Sequence, residues 1–575
     1  MRLPTSVLAR SVLATAVTLG LVAGGLTGLN AHAVAQHQPQ PQPQPQHSGT
    51  PQPTHPGGPQ RFLAVTGGNL RTSFSKVEEV GEQAADARDV ACTARNGKVA
   101  ALPNGWCLSP AGRQIDVLRF PLGVTPTSNG KVVVSSDSGG VQGLTVIDQQ
   151  SLDTTQTTAG NLFVGVAETK DHRVYAAGGN ADRVFRYRFA GDRLASQDVT
   201  QTATAPVGNA LNGVTGRLPL GGQSVPAVDG IAVSSYPGAL LSWGDYVLAA
   251  GTLSEASNGA CPDRQPACGR VSVLDSRTDA VVGRVALGLD PYAMAVDPVR
   301  KLLYVTNWAD EAGRGAGQGT VSTVDLSNPL RPRELSVTPV GHHPAAVVLS
   351  ADRSHLFVAN TNDDSLSVLD VTGTPRVLAT ESLRPVQGAP VGAHPDALVL
   401  SPDGATLFVA LAGLNAVEVR DGRTGARVAG RPVYLPTGWY PSALAVTGTA
   451  VHYKLWVTNA KGIGPGPGYN ASIFANGTNT TGSTNGTVSA IDLPASADAT
   501  NRWTAAVMAN DRFDTADVSP CASGRGVVIS QVLCPPAGRQ SPLRHIVYVV
   551  TENKTYDQYF GDLPQGPNGY RADPT

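Results

Sequence analysis

Charged residues make up only 15% of this 575-residue chain. So few charges exclude an architecture of long solvent-facing helices, whose outer faces need them. Lys and Arg total 43 against 44 Asp and Glu, for a net charge of −1. No basic footprint is present to neutralise nucleic-acid phosphates, so no nucleic-acid partner is expected. Beyond the N-terminal segment no apolar run is long enough to cross a bilayer. Neither a nucleophile-elbow motif nor a phosphate-binding loop occurs. The 6 cysteines form no Cys-x2-Cys pair and have no matching histidine spacing, which argues against zinc.

Glycine (64) and proline (43) are plentiful, as many short strands joined by turns require. One stretch shows the pattern: GAHPDALVLSPDGATLFVALAGLNAVEVRD, from Gly392 to Asp421. It reads as a short apolar strand, a Ser401-Pro402-Asp403-Gly404 turn, a second strand at Leu407–Ala410, and an alternating third at Ala416–Arg420. Copies begin at Gly288, Gly341 and Gly438, each with a Gly-x-x-Pro start. The second-strand aromatics Tyr304, Phe357, Phe408 and Trp456 lie 53, 51 and 48 residues apart. A period of about 40–50 residues with several strands per unit is that of a propeller blade.

Three earlier blades complete the count. Blade 1 has Lys131–Ser135 and Leu144–Asp148 as middle strands, and blade 2 has Leu162–Ala167, Arg173–Ala177 and Arg183–Phe189. Blade 3 has Gly230–Val233, Tyr246–Ala250 and Arg270–Asp275. The fold class expected is all-β, a seven-bladed β-propeller over residues 114–508. Gln114–Phe120 supplies the outermost strand of the last blade, since an open ring would leave two bare edges. The segments LLYVTN (Leu302–Asn307), LFVAN (Leu356–Asn360) and LWVTN (Leu455–Asn459) resemble the YVTN family of β-propeller repeats, which implies a fold more firmly than an activity.

The flanks read differently. Arg2 and Arg10, the uncharged run Ser11–Leu29 and small residues at Ala31-His32-Ala33 or Ala33-Val34-Ala35 form an export signal over residues 1–35. This predicts a secreted, extracytoplasmic protein with no integral span after cleavage. Residues 36–60 are a Pro/Gln-rich spacer, and 61–113 an N-terminal extension. In an oxidising compartment the cysteines are expected as disulfides. Many connectivities are open; the simplest pairs neighbours, Cys92 with Cys107, Cys261 with Cys268, and Cys521 with Cys534.

If the Gly-x-x-Pro starts lie on the top face, so do the long loops Leu253–Gly269, Asn307–Gly319 and Asn459–Gly486 between second and third strands, marking that face as the working one. His342, His343 and His394 are placed to ring a metal at the channel mouth, but other blades put Leu289-Asp290 and Trp439-Tyr440 there, which favours a turn role. Asp310-Glu311 and Asp363-Asp364 read as solvated acidic pairs. Asn470, Asn476, Asn479 and Asn485 begin Asn-x-Ser/Thr triplets that this loop's composition generates by itself.

After a connector at 509–542, Leu543–Val550 (LRHIVYVV) is an apolar, β-branched run fit for a buried parallel strand. Thr551-Glu552-Asn553-Lys554-Thr555-Tyr556-Asp557 follows, with Phe560-Gly561 a little later. This resembles the opening motif of the phosphoesterase family that contains bacterial phospholipases C and acid phosphatases, with Lys554 in an arginine place. The resemblance implies that 543–575 begins a phosphoesterase domain, that Glu552 and Asn553 help hold a divalent metal of unknown identity, and that the propeller's top face borders this C-terminal domain. A nucleophile and further acidic ligands do not occur within these residues. The chain is therefore expected to be the front part of a longer enzyme, inactive alone and with no tightly bound cofactor. The alternative is a secreted propeller that binds a protein or surface ligand without catalysis.

Overall fold

The structure is a computed structural model. It describes residues 100–102, 106–136, 142–159, 161–198, 230–256, 267–309, 318–389, 391–463 and 486–513. Seven antiparallel sheets dominate these residues, four-stranded except for a fifth strand beside blade 2. The chain is a seven-bladed β-propeller. Blade 5 shows the plan, with strands Pro344–Leu349, His355–Asn360, Ser365–Asp370 and Arg376–Ser382 following one another outward. The other first strands are Pro121–Pro126, Val166–Glu168, Pro237–Trp243, Pro291–Asp297, Pro395–Leu400 and Pro441–Gly448. Each touches the first strand of the next blade, and that of blade 7 touches that of blade 1, so the ring is closed.

Closure is made by the N-terminal side of the chain. Arg113–Val117 pairs antiparallel with Gly486–Leu493, setting Ile115 opposite Val488. The core lies between sheets, because each blade buries both faces against its neighbours. Trp456 and Val488 of blade 7 pack with Val132 and Val134 of blade 1. Phe357 and Val368 of blade 5 pack with Leu407 and Val409 of blade 6. The periodic aromatics Tyr304, Phe357, Phe408 and Trp456 are exposed by 2% or less.

The Asn that ends each LLYVTN-like strand ties three strands together. Asn360 Nδ2 donates to Ser365 Oγ (3.0 Å) and Ser367 Oγ (2.9 Å), while its Oδ1 accepts Gly341 N–H (3.1 Å). Asn307 binds Thr320 and Ser322 in the same way, and Asn459 binds Thr487 and Ser489. Blade 6 replaces the whole set, with Leu411, Ala416 and Glu418 in the three places.

Two parts of the sequence reading are corrected. Gly230–Val233 is not the first strand of blade 3. Ile231–Ala232 pairs instead with Arg183–Val184 of blade 2, and Pro237–Trp243 takes the inner place. The helix α1, Ala497–Asn510, was not anticipated; Ser496 caps it by accepting Ala499 N–H (3.2 Å). It covers the three-residue outer strand Tyr434–Pro436 of blade 6, where Thr504 accepts Tyr434 N–H (3.0 Å).

Among the described residues no helix is long and apolar enough to cross a membrane. Cys107 and Cys268 are buried and neither is a free thiol. Cys92, Cys261, Cys521 and Cys534 lie outside the described residues, so the pairing stays an expectation.

Candidate functional site

The first strands begin in one shared geometry. In six blades the residue before the leading proline has a left-handed backbone: Phe120, Tyr236, Asp290, His343, His394 and Tyr440, with φ between 49° and 65°. Such angles cost a non-glycine residue about 1–2 kcal/mol each, and they recur where a site over-determines the backbone. The fixing bonds are visible. Carbonyls of Tyr236, Asp290, His343, His394 and Tyr440 accept the N–H groups of Thr252, Trp308, Thr361, Ala412 and Ala460 at the ends of the second strands (2.8–3.1 Å).

Neighbouring blades hold these corners in two ways. Where the turn between second and third strands is tight, its last residue is itself left-handed and caps the next blade. Asp182 Oδ1 accepts Tyr236 N–H (2.7 Å), Asp364 accepts those of Gly392 (2.8 Å) and His394 (3.0 Å), and Asn415 accepts that of Tyr440 (3.1 Å). Where the loop is long, a glycine takes that position. A Cβ on Gly319 would lie 2.2 Å from Pro344 Cδ, and one on Gly486 2.4 Å from Pro121 Cδ.

Just past each of the six prolines the strand slips register against its neighbour, a bulge that leaves the following residue unpaired. Bulges re-aim side chains. The residues so placed are Leu122, Gly238, Tyr292, Ala345, Asp396 and Ser442. Asp396 is the charged one. Tyr440 donates a hydrogen bond to its carboxyl, and Thr361 Oγ1 lies 3.4 Å from Oδ1. Tyr292 feels the charge of Asp396 and the neighbouring Tyr236, and Tyr440 feels Asp396 and Tyr292. Blades 3 to 7 thus converge on one point, the mouth of the channel, blade 5 through Thr361.

Aromatic rings line it. Phe163 meets Tyr236 edge to face at 5.0 Å, Tyr292 stacks on Trp308 at 6.2 Å, and Trp308 stacks on His343 at 4.1 Å. Lys461 holds Nζ 4.9 Å from the Trp439 ring and 5.1 Å from that of Tyr440. Asp396 is half-buried, and protein surrounds its carboxyl. That burial lifts its pKa to about 7, against the lowering effect of the Tyr440 and Thr361 hydrogen bonds. Burial first, then the Asp396 charge, pushes Tyr292 up to about 12, and the same causes raise Tyr440 further. Burial lowers Lys461.

The residues singled out from sequence fall as follows. His343 and His394 occupy the left-handed turn position, and His342 Nδ1 lies 2.6 Å from Asp363 Oδ1. Asp363 also accepts His342 N–H (2.7 Å). Asp364 is not solvated: it is 2% exposed and serves as the interblade cap just described, which corrects the earlier reading. Among the described residues no three His, Cys, Asp or Glu side chains gather as a metal site. Asp310, Glu311, Glu552, Asn553 and the four Asn triplets lie outside the described residues.

The register settles which face the long loops leave. Pro237 pairs with Gly251, Pro291 with Asn307 and Pro441 with Asn459, so all three depart beside the channel mouth. Sequence reasoning missed Tyr292 and Asp396. Their signal was the position after each proline, where residue type varies while the flanking pattern stays constant.

Residues 274–425 match a family model described as a lactonase, 7-bladed beta-propeller. Hydrazine synthase of Kuenenia stuttgartiensis is similar at TM-score 0.42 and 14% identity, over 60% of this chain and 94% of that one. Virginiamycin B lyase from Staphylococcus aureus is similar at TM-score 0.38 and 10% identity, over 60% and 94%. No curated protein matches the sequence.

Proposed function

We propose that this protein is an exported phosphoesterase whose propeller serves as a ligand-binding module beside a metal-dependent catalytic segment. One observation carries the hydrolytic part: the run Leu543–Val550 leads straight into Glu552-Asn553 and then Thr555-Tyr556-Asp557. A carboxylate and an amide directly after a run whose sequence suits a strand are hard oxygen donors suited to a divalent cation. Such an ion would offset phosphate charge and lower the pKa of a nucleophilic hydroxyl. The propeller's part rests on the aromatic mouth and on the long loops that leave beside it. Export rests on the N-terminal signal pattern. The neighbour disulfides Cys92–Cys107, Cys261–Cys268 and Cys521–Cys534 belong to the same proposal; that neither Cys107 nor Cys268 is free accords with it.

The strained, aromatic channel mouth also favours the second reading, a propeller that binds without catalysis. Hydrolysis of p-nitrophenyl phosphate and of a phosphodiester separates the two, measured with and without added divalent metal. The assay takes this chain and a form continued beyond Thr575. The extended form is expected to turn over only with metal, and Glu552→Gln to lower metal affinity and turnover together by about a hundredfold. Metal-dependent turnover unchanged in Glu552→Gln removes the metal assignment. Inactivity of the extended form favours the binding reading.

A further inference from the structure

We propose that the channel mouth binds a small organic ammonium ion, its charge against the Asp396 carboxylate and its carbon groups against the rings of Tyr236, Tyr292 and Tyr440. The inference is independent of the phosphoesterase reading. Five blades contribute to the spot, blade 5 through Thr361, and Asp396 lies in the bulge just after Pro395.

The Asp396 carboxyl receives hydrogen bonds from Tyr440 and Thr361, and among the described residues no cation stands beside it. A desolvated carboxylate without a counter-ion is stabilised by any cation that fits. A bare metal ion wants several hard oxygen donors, and one carboxylate among aromatic walls supplies too few. Aromatic faces instead attract ammonium groups, by the quadrupole of the ring. The protein already shows this chemistry next door, where Lys461 rests its own ammonium on Trp439 and Tyr440. That contact uses the face of Tyr440, while its hydroxyl edge reaches Asp396.

The test is calorimetric titration of the full chain with tetramethylammonium chloride and with ethylammonium chloride, against sodium chloride at equal ionic strength. Saturable binding of either ammonium ion is expected, absent with sodium. Asp396→Asn, which keeps shape and hydrogen bonding, should weaken it about tenfold or more, and Tyr292→Leu about threefold. Binding of neither ion, an equal response to sodium, or affinity unchanged in Asp396→Asn overturns the proposal.

A measurement on the unaltered protein guards against a variant that fails to fold. Cation binding must displace the Asp396 proton when that proton is present. Heats in two buffers of different ionisation enthalpy should therefore report release of close to one proton at about pH 6 and almost none at about pH 8.5. Among the described residues the titratable groups facing Asp396 or bordering the mouth are Tyr236, Asp290, Tyr292, His343, His394, Tyr440 and Lys461. The release should persist in His343→Asn and His394→Asn, asparagine being suited to the left-handed backbone there. No release at either pH, or release abolished by the histidine changes, overturns the assignment to Asp396.

Discussion

At the scale of single residues, Asp396 ties the site to the stability of the fold. Its carboxyl titrates near 7 in the folded chain, whereas in the unfolded chain it titrates near the ordinary value of about 4. Below about pH 4 both states hold the proton and the group is neutral to stability. Between about pH 4 and 7 the unfolded state loses its proton first, so this residue destabilises the fold increasingly as pH rises. Asp396→Asn carries no charge to desolvate. It should gain in melting temperature over the unaltered chain as pH goes from about 4.5 to 8, by the equivalent of about 1–2 kcal/mol once water in the channel is allowed for. Thermal unfolding at the two pH values checks this; a constant difference would mean that the carboxylate has a counter-charge. Asn360 offers a second residue-scale test. Asn360→Leu should cost about 2–3 kcal/mol, because the Ser365 and Ser367 hydroxyls lose their donor. Adding Ser365→Ala and Ser367→Ala should restore part of it, since blade 6 already packs Leu411 against Ala416. Full additivity in denaturant titrations would count against a shared network.

Among the elements, the closing strand carries the largest consequence. Arg113–Val117 is 369 residues from its partner Gly486–Leu493, counting from Val117 to Gly486. It seals the last blade and buries Ile115 against Trp456 and Val488. Removing the chain through Val117 would bare the edge of Gly486–Leu493, a template for pairing with other chains. Concentration-dependent aggregation and loss of a single cooperative unfolding transition are expected, read by size-exclusion chromatography and calorimetry. Ile115→Asp should cost about 3 kcal/mol or more by placing a charge in that cluster. A monomeric, cooperatively unfolding truncation would show that the ring is held by its first strands alone. The blade seams belong to the same scale. An Asp or Asn cap serves the tight turns and a glycine under the next proline serves the long loops, so loop length and seam chemistry change together.

Taken whole, the molecule is a repeat whose unit was written plainly in the chain. The aromatics Tyr304, Phe357, Phe408 and Trp456 kept the period and all proved buried. Blade 3 was misplaced because Ser234 stands where the repeats from Gly288 onward carry glycine, which hid the Tyr236-Pro237 start. Asp364 looked like a surface acid because a run of Asn and Asp resembles any polar turn; its burial comes from the next blade's backbone. The local alternation of apolar and polar residues, the prolines and the glycines determined by themselves that there would be seven small sheets. A blade is made of contacts within about 50 residues, and such contacts leave a period in the sequence. The channel mouth leaves none. Tyr236, Tyr292, Asp396 and Tyr440 each sit in an ordinary strand start, separated by 56, 104 and 44 residues in turn. Only the closed ring brings these starts together, Tyr236 and Tyr440 at the left-handed corner before their prolines and Tyr292 and Asp396 in the bulge after theirs, so tertiary structure alone decided the site.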